Sequence, residues 1–427
     1  MVNKLLDDCF LHDKQRLSHH EALAILKARL RPVAAAERVA LQHAAGRILQ
    51  AAAIASRPVP AHTNAAVDGY CFAAADYDVT GGAELAVEGR AAAGHLLTHK
   101  PARGIAARIF TGAVMPEGHD SVVMQEDVQT RSDGDRLLVR IPAGLKRGAN
   151  VRKAGEDIKA GETLLTAGAV LRPQDLAALA SIGVGEVACF ARLKVAIVST
   201  GDEVVRAGGG GLDAGRVYDA NAPMLAPLIA GAGAVAVDLG VLPDDREVVT
   251  ARLAEAARTF DVIITTGGAS RGEEDHVVAA LDQLGKRHMW QLAIKPGRPM
   301  SFGQIGDCVL VGLPGNPVAV FVCFLLYVWP LLRRMGGAAW PEPRRYKLPA
   351  VFAFPDRKLG RREFWRGMLK ETPRGLAVDK FARDGSGLIS GLRAADGLID
   401  IPEDVPAVQP GDLVAFIPFS EFGIVGR

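Results

Sequence analysis

LKVAIVSTGDEV, residues 193–204, begins as an apolar run broken only by Lys194 near its start and stops on a glycine followed by two acids. A strand buried on both faces reads this way, and the glycine gives the turn after it backbone freedom. Outward from this stretch the same grammar repeats. A helix around NAPMLAPLIAGAG (221–233) leads to the strand AVAVDLGVL (234–242), then to the helix DDREVVTARLAEAARTF (244–260) and the strand DVIITTGG (261–268). A further helix follows GEED (272–275), and CVLVGL (308–313) ends the series. Strands alternating with helices predict βαβ units, a mainly parallel doubly wound sheet and ligands beyond the strands' carboxyl ends. The turns STGDE (199–203), TTGGAS (265–270) and GLPGNP (312–317) all fall at such ends and are expected to share one rim.

The flanking sequence has another character. HHEALAILKARL (19–30) after Ser18 predicts an opening helix. From residue 51 to about 142, short alternating runs split by Gly and Pro predict a mostly β segment, and residues 144–183 lead through a basic, glycine-punctuated stretch to a helix near Pro173. After Pro341, runs such as REFWRGMLK (362–370) and DLVAFIPF (412–419) predict a small barrel or sandwich. A chain of 427 residues is too long for one core, and short runs of this kind outside the βαβ region fit several domains.

Composition excludes several classes. With 49% hydrophobic and 23% charged residues, net charge +2 and no long single-sign block, neither disorder nor a nucleic-acid tail is expected. Five cysteines without CxxC spacing point to a reducing compartment and no structural zinc. The N-terminus lacks the apolar core of a signal peptide. VAVFVCFLLYVWPLL (318–332), broken by Pro330, reads as a buried helix rather than a membrane span. His12, His19 and His20 show no metal-ligand pattern and read as solvated.

Chemistry concentrates on the rim. GLPGNP follows a buried strand with small residues that admit close backbone approach, the construction of an anion site. KPGRPMSFG (295–303) adds Lys295 and Arg298. Asp202, Glu203, Asp244, Asp245, Glu273, Glu274 and Asp275 gather carboxylates at other strand ends. Acids beside anion turns call for a cation between them, and Mg²⁺, which shares its shell with substrate phosphates, is the expected mediator. There is no Walker motif and no GxGxxG. NAAVDGY (64–70) and FTGAVMPEGHD (110–120) read, taken alone, as tight turns.

Taken together, NAAVDGY, RIFTGAVMPEGHDSVVMQED, NVRKAGEDIKAGETLL, VSTGDE, RVYDANAPML, TTGGASRGEED, LAIKPGRPM, GLPGNPVA and DGSGLISGLRAADGLIDIPE resemble, in order and spacing, the MoeA family of molybdopterin molybdenumtransferases. The resemblance implies a multidomain α/β plus β fold. Its parts are a helical linker domain from residues 1–54 and 147–190, an inserted β domain (55–146), a MogA-like molybdopterin-binding α/β domain (191–338) and a C-terminal β-barrel (339–427). It also implies the reaction, insertion of molybdate into adenylylated molybdopterin with Mg²⁺-dependent release of AMP, in a cytoplasmic homodimer. The adenylyltransferase and molybdoenzyme chaperones are implied partners, with no nucleic acid or membrane. A molybdopterin adenylyltransferase and a non-catalytic molybdopterin-binding scaffold are the alternatives.

Carried over by position, the resemblance makes Asp68, Thr111, Asp157, Glu203, Asp244 and Asp275 catalytic, with Glu203 and Asp275 on Mg²⁺. Cofactor binding falls to Ser199, Thr200, Gly201, Gly267, Gly268, Ser270, Lys295, Arg298, Pro314, Gly315, Asn316 and Pro317. Asp68 and Thr111 are expected to close the cleft from the partner subunit. Gln291 stands where the family often has a basic residue, and Arg271 where it commonly has a small apolar one.

Overall fold

The computed structural model describes residues 16–208, 211–267 and 276–426, with only the backbone of 287–290. Gly268, Ser270, Arg271, Asp275, Glu273 and Glu274, together with Cys9 and His12, lie outside the described residues.

The central sheet has six strands in the order Val235–Leu242, Lys194–Thr200, Val262–Thr266, Cys308–Leu313, Pro299–Ile305, Lys286–Gln291. The first four run parallel, Pro299–Ile305 runs antiparallel to them, and Lys286–Gln291 pairs antiparallel with Pro299–Ile305 and so points the same way as the first four. Lys286–Gln291 is a strand that the sequence reading missed, since its polar, basic residues carry no apolar run. Alternate residues of one strand serve two cores. Val195 and Ile197 pack with the helix Asn221–Gly231, whereas Ala196 and Val198 pack with the helices Arg246–Ala256 and His276–Leu284. That two-sided burial is why the strands read as continuous apolar runs.

The apolar stretch after GLPGNP is a single 19-residue helical run, Pro317–Met335, 89% buried. By length and composition alone it could cross a membrane; here it lies in the core between the sheet and the C-terminal domain. Each of its large side chains contributes roughly 1.5–3 kcal/mol by leaving water. Phe324–Val328 is a π-helical turn in which the Trp329 N–H reaches the Phe324 carbonyl, and Pro330 follows directly in the first turn of Trp329–Met335. The wide turn accommodates a proline that would break a regular ladder.

The opening helix His19–Arg29 is fixed by a capping box between Ser18 and Glu21. It buries Ala22, Leu26 and Leu30 in the core of the central sheet. The linker is less helical than the resemblance implies. Strand Ala36–Ala40 pairs with Glu186–Phe190, and Ala53–Ile54 with Thr163–Leu165, beside the helix Pro173–Ser181.

The inserted segment forms a six-stranded sheet ordered Ser121–Met124, Gly69–Phe72, Ile105–Ile109, Ala83–Ala91, Arg136–Ile141, Gln129–Asp133. In the C-terminal part, Ile294–Lys295, Arg362–Thr372, Gly397–Ile401, Leu413–Pro418 and Tyr346–Pro349 are neighbours in turn, and Gly375–Lys380 pairs with Arg362–Thr372. A bridge between Ala350, just past Tyr346–Pro349, and Val378 of Gly375–Lys380 brings these two strands together. A short helix, Ile389–Ala394, interrupts the strands of this part.

Candidate functional site

Strand ends and loops from two domains enclose a cavity of about 680 Å³. Gly267, Pro314, Gly315 and Asn316 come from the central sheet's rim, Lys295 and Arg298 from the basic loop, and Arg366, Lys380, Asp384 and Ser386 from the C-terminal domain. Among the described lining residues, four cations face one carboxylate, the make-up of an anion cavity.

The GLPGNP turn supplies backbone donors. Pro314 is buried, Gly315 and Asn316 are exposed, and Asn316 is the N-cap of the helix beginning at Pro317. The Gly315 and Asn316 amides have no hydrogen-bond partner among the described residues. At a helix N-terminus such amides favour an anion. The turn is braced from below. Asn221 Nδ2 donates to the Gly315 carbonyl at 2.8 Å, and Asp219 accepts from the Asn221 and Ala222 amides at 2.9 and 3.1 Å. Asp219 also accepts from Ser199 Oγ at 2.5 Å and from Arg206 at 2.7 Å. Ser199 is thus a buried brace, 1% exposed, rather than a group open to a ligand.

Lys295 belongs to a two-residue strand, Ile294–Lys295, that pairs with the C-terminal sheet. Its Nζ lies 3.8 Å from Glu363 Oε2, and Glu363 is 1% exposed. Glu363 also accepts from Trp365 Nε1 and Arg361, each at 2.9 Å. Arg366 donates to the carbonyls of Leu388 at 3.0 Å and Arg383 at 2.7 Å, and burial pulls it down from the usual arginine range. Lys380 meets Asp384 at 2.6 Å. Arg366, Lys380 and Asp384 were missed from sequence: FWRG and AVDK read as strand interiors, and only DGSG carried a signal.

The acidic rim lies at the ends of Lys194–Thr200 and Val235–Leu242. The Asp202 N–H donates to Asp244 at 3.2 Å, and the Asp244 N–H returns to Asp202 at 3.1 Å. Gly201 has φ +130°, and a Cβ there would lie 2.5 Å from Glu203 Oε2. Gly267, at φ +93°, leaves room for Thr200, whose Oγ1 would be 2.6 Å from a Cβ. Both glycines are therefore demanded by the packing of these turns. Asp245 is a helix N-cap, accepting from the Glu247 and Val248 amides at 2.9 Å.

Asp202, Glu203 and Asp244 are exposed and form no ion pair among the described residues. An all-oxygen donor set of this kind fits a hard cation such as Mg²⁺. Among the described residues no cluster of three or more His, Cys, Asp or Glu could hold a metal ion.

Asp68 and Thr111 are brought together, since Asp68 Oδ1 accepts from Thr111 N at 2.8 Å and Thr111 Oγ1 at 2.7 Å. The Thr111 amide first, then its hydroxyl, holds Asp68 below the usual carboxylate range. Neither lines the cavity. Asp157 is exposed on the linker, its amide bonded to the Val59 carbonyl at 3.1 Å. Pro317 begins the helix behind the turn. Gln291 is half-buried at the end of its hairpin strand, opposite Pro299.

His19, expected to be solvated, is 1% exposed: its Nδ1 meets Tyr327 Oη at 2.9 Å, and burial pulls its pKa down to about 3. Cys71, Cys189, Cys308 and Cys323 are buried free thiols.

Comparison with known proteins agrees along the chain. Residues 17–183 match the MoeA N-terminal region (domain I and II), residues 196–334 a probable molybdopterin binding domain, and residues 350–419 the MoeA C-terminal region (domain IV). A molybdopterin molybdenumtransferase of Haemophilus influenzae is 36% identical over 382 residues, covering 89% of this chain and 93% of its own. The chain belongs to the MoeA family. A MoeA relative of Bacillus subtilis, also named molybdopterin molybdenumtransferase, is 29% identical over 389 residues, 90% of each chain. The crystal structure of the molybdopterin biosynthesis MoeA protein from Pyrococcus horikoshii OT3 matches with a TM-score of 0.81 at 29% identity, covering 95% of this chain and 100% of that one.

Proposed function

We propose that this MoeA-family chain is a molybdenum-inserting transferase of molybdenum cofactor biosynthesis, acting on adenylylated molybdopterin and molybdate and releasing AMP. The observation that carries the reading is the cationic cavity beside the carboxylate rim. A tetrahedral dianion such as molybdate fits a site where Lys295, Arg298, Arg366 and Lys380 line a cavity with the Gly315 and Asn316 amides, which have no partner among the described residues.

The roles follow from placement. Lys295, steadied by the buried Glu363, presents a fixed positive charge to the oxyanion. The rigid GLPGNP turn, held through Asn221 and Asp219, keeps its amides aimed without reorganisation. Glu203 with Asp275 would hold Mg²⁺, with Asp244 clasped to the same turn. Bound there, the ion would neutralise the substrate's pyrophosphate and make the adenylate a better leaving group. Thr111 keeps Asp68 ionised, and the pair would close the cleft of a partner subunit in a homodimer, with Asp157 at the linker side. Gly268 and Ser270, which follow Gly267 in the sequence, complete the proposed cofactor-binding set. The C-terminal run of strands joined by Ala350 and Val378 supports the barrel, and the three family matches support the order of the domains.

The test is AMP release from adenylylated molybdopterin by the purified protein, with and without molybdate and Mg²⁺. Release that needs both, with active molybdenum cofactor formed, supports the reading. Tight binding without release overturns it in favour of a scaffold.

A further inference from the structure

We propose that Tyr70, Arg90, Arg108 and Phe110 of the inserted sheet form a platform for a nucleoside monophosphate, the adenylate end of the substrate. The proposal rests on the function above, which turns the Asp68 and Thr111 edge of this sheet toward a cleft.

Tyr70 stands opposite Arg108 on one neighbouring strand, and Arg90 stands opposite Arg108 on the other. The three side chains therefore form one row across three strands, on one face. Phe110, two residues beyond Arg108, projects from that same face. The Arg108 guanidinium lies 5.0 Å from the Tyr70 ring centroid and 4.7 Å from that of Phe110, and Arg90 lies 4.7 Å from Phe110. Phe110 directly precedes Thr111, and Tyr70 is two residues past Asp68. The row thus borders the Asp68–Thr111 pair.

Like charges directly opposite each other in a sheet repel. Here neither guanidinium forms an ion pair with a described carboxylate; Asp68 feels the Arg108 charge, but Arg108 itself donates to the Gly69 carbonyl at 3.0 Å and to the Gln125 amide oxygen. Arg90 is exposed. Aromatic faces hold both cations in place while leaving their charge for an anion. Ring and guanidinium planes also stack on a base. A phosphate monoester joined to a flat base answers both features, and the proposed substrate carries one at the end that leaves as AMP.

The experiment titrates AMP, adenosine and inorganic phosphate into the full chain and into Arg90→Gln, Phe110→Leu and Arg136→Gln, with circular dichroism to establish folding. Arg136 is an exposed arginine on another strand of the same sheet and controls for net charge. AMP is expected to bind more tightly than either fragment, and Arg90→Gln to weaken it roughly tenfold, the loss of one charge-assisted contact. Phe110→Leu weakens it as well, Arg136→Gln leaves it unchanged, and KM for the adenylylated substrate rises in the same order. Equal AMP affinity in wild type and Arg90→Gln, or no AMP binding by the wild type, overturns the platform. Inorganic phosphate binding as tightly as AMP overturns the nucleotide assignment. Turnover with unchanged KM in Arg90→Gln sinks the platform and leaves the transferase reading standing; AMP binding that depends on Arg90 without catalysed release does the reverse.

Discussion

Lys295 of the basic loop stands 3.8 Å from Glu363, a carboxylate 1% exposed within the C-terminal sheet. One domain's buried acid thus sets the position of another domain's cavity cation. Lys295→Ala is expected to leave the fold intact and to lower turnover by roughly 10²–10³, the usual scale for losing a preorganised charge at a developing anion. Glu363→Gln, which also weakens the arrangement of Arg357 and Arg361, is expected to destabilise by about 3–5 kcal/mol. Urea melts together with steady-state kinetics separate the two. A Lys295→Ala protein of full activity contradicts the assigned role.

Gly201→Ala tests the geometry of the acidic rim. Its Cβ would fall 2.5 Å from Glu203 Oε2 at a backbone φ of +130°, so strain of about 1–3 kcal/mol and a displaced Glu203 are expected. The measurement is the Mg²⁺ concentration that gives half-maximal AMP release. It should rise several-fold, whereas an unchanged Mg²⁺ requirement removes Glu203 from the metal.

The brace under the GLPGNP turn makes its own prediction. Asp219→Asn removes the charge that holds Arg206, while keeping a group able to accept from the Asn221 amide. A loss of about 1–2 kcal/mol is expected, because the charge-assisted contact to the partly exposed Arg206 is lost. Asn221→Ala frees the Gly315 carbonyl and should raise KM for molybdate more than it lowers the unfolding free energy. Equal effects on both quantities would reduce Asn221 to a packing residue.

Acid stability follows from His19. Its folded pKa is depressed by burial to about 3, despite Asp400, which pulls it upward against Arg362, Arg345 and His20. The unfolded histidine binds a proton near its ordinary value while the folded one does not. Stability is therefore unaffected above about pH 6.5 and falls as pH drops from there towards 3. Burial pushes Asp400 up, but Arg362 and Arg345 outweigh it and keep its carboxyl low, so its contribution is lost only at lower pH. His19→Leu should flatten the loss between pH 6.5 and the carboxylate range, read from urea melts at several pH values. An unchanged slope assigns the acid limb to other groups.

Much of the site was legible because it is local. A buried strand that stops on Pro, Gly and Asn can be read as an anion turn from GLPGNP alone, and STGDE as an acidic turn. The opposite wall was not legible. Arg366 and Lys380 become cavity residues only because Ile294–Lys295 joins the C-terminal sheet. His19 was misread for the same reason, since its partner Tyr327 lies 308 positions away. The strand Lys286–Gln291 was missed because it is held by pairing with Pro299–Ile305 rather than by an apolar run of its own.

The most direct measurement is equilibrium dialysis of molybdate against the wild-type protein and against Lys295→Ala and Arg366→Gln. A cationic oxyanion cavity predicts saturable binding by the wild type that weakens at least roughly tenfold in each variant, the scale of one charge-assisted contact. Binding of equal strength in all three proteins would contradict the assignment of the cavity to the oxyanion.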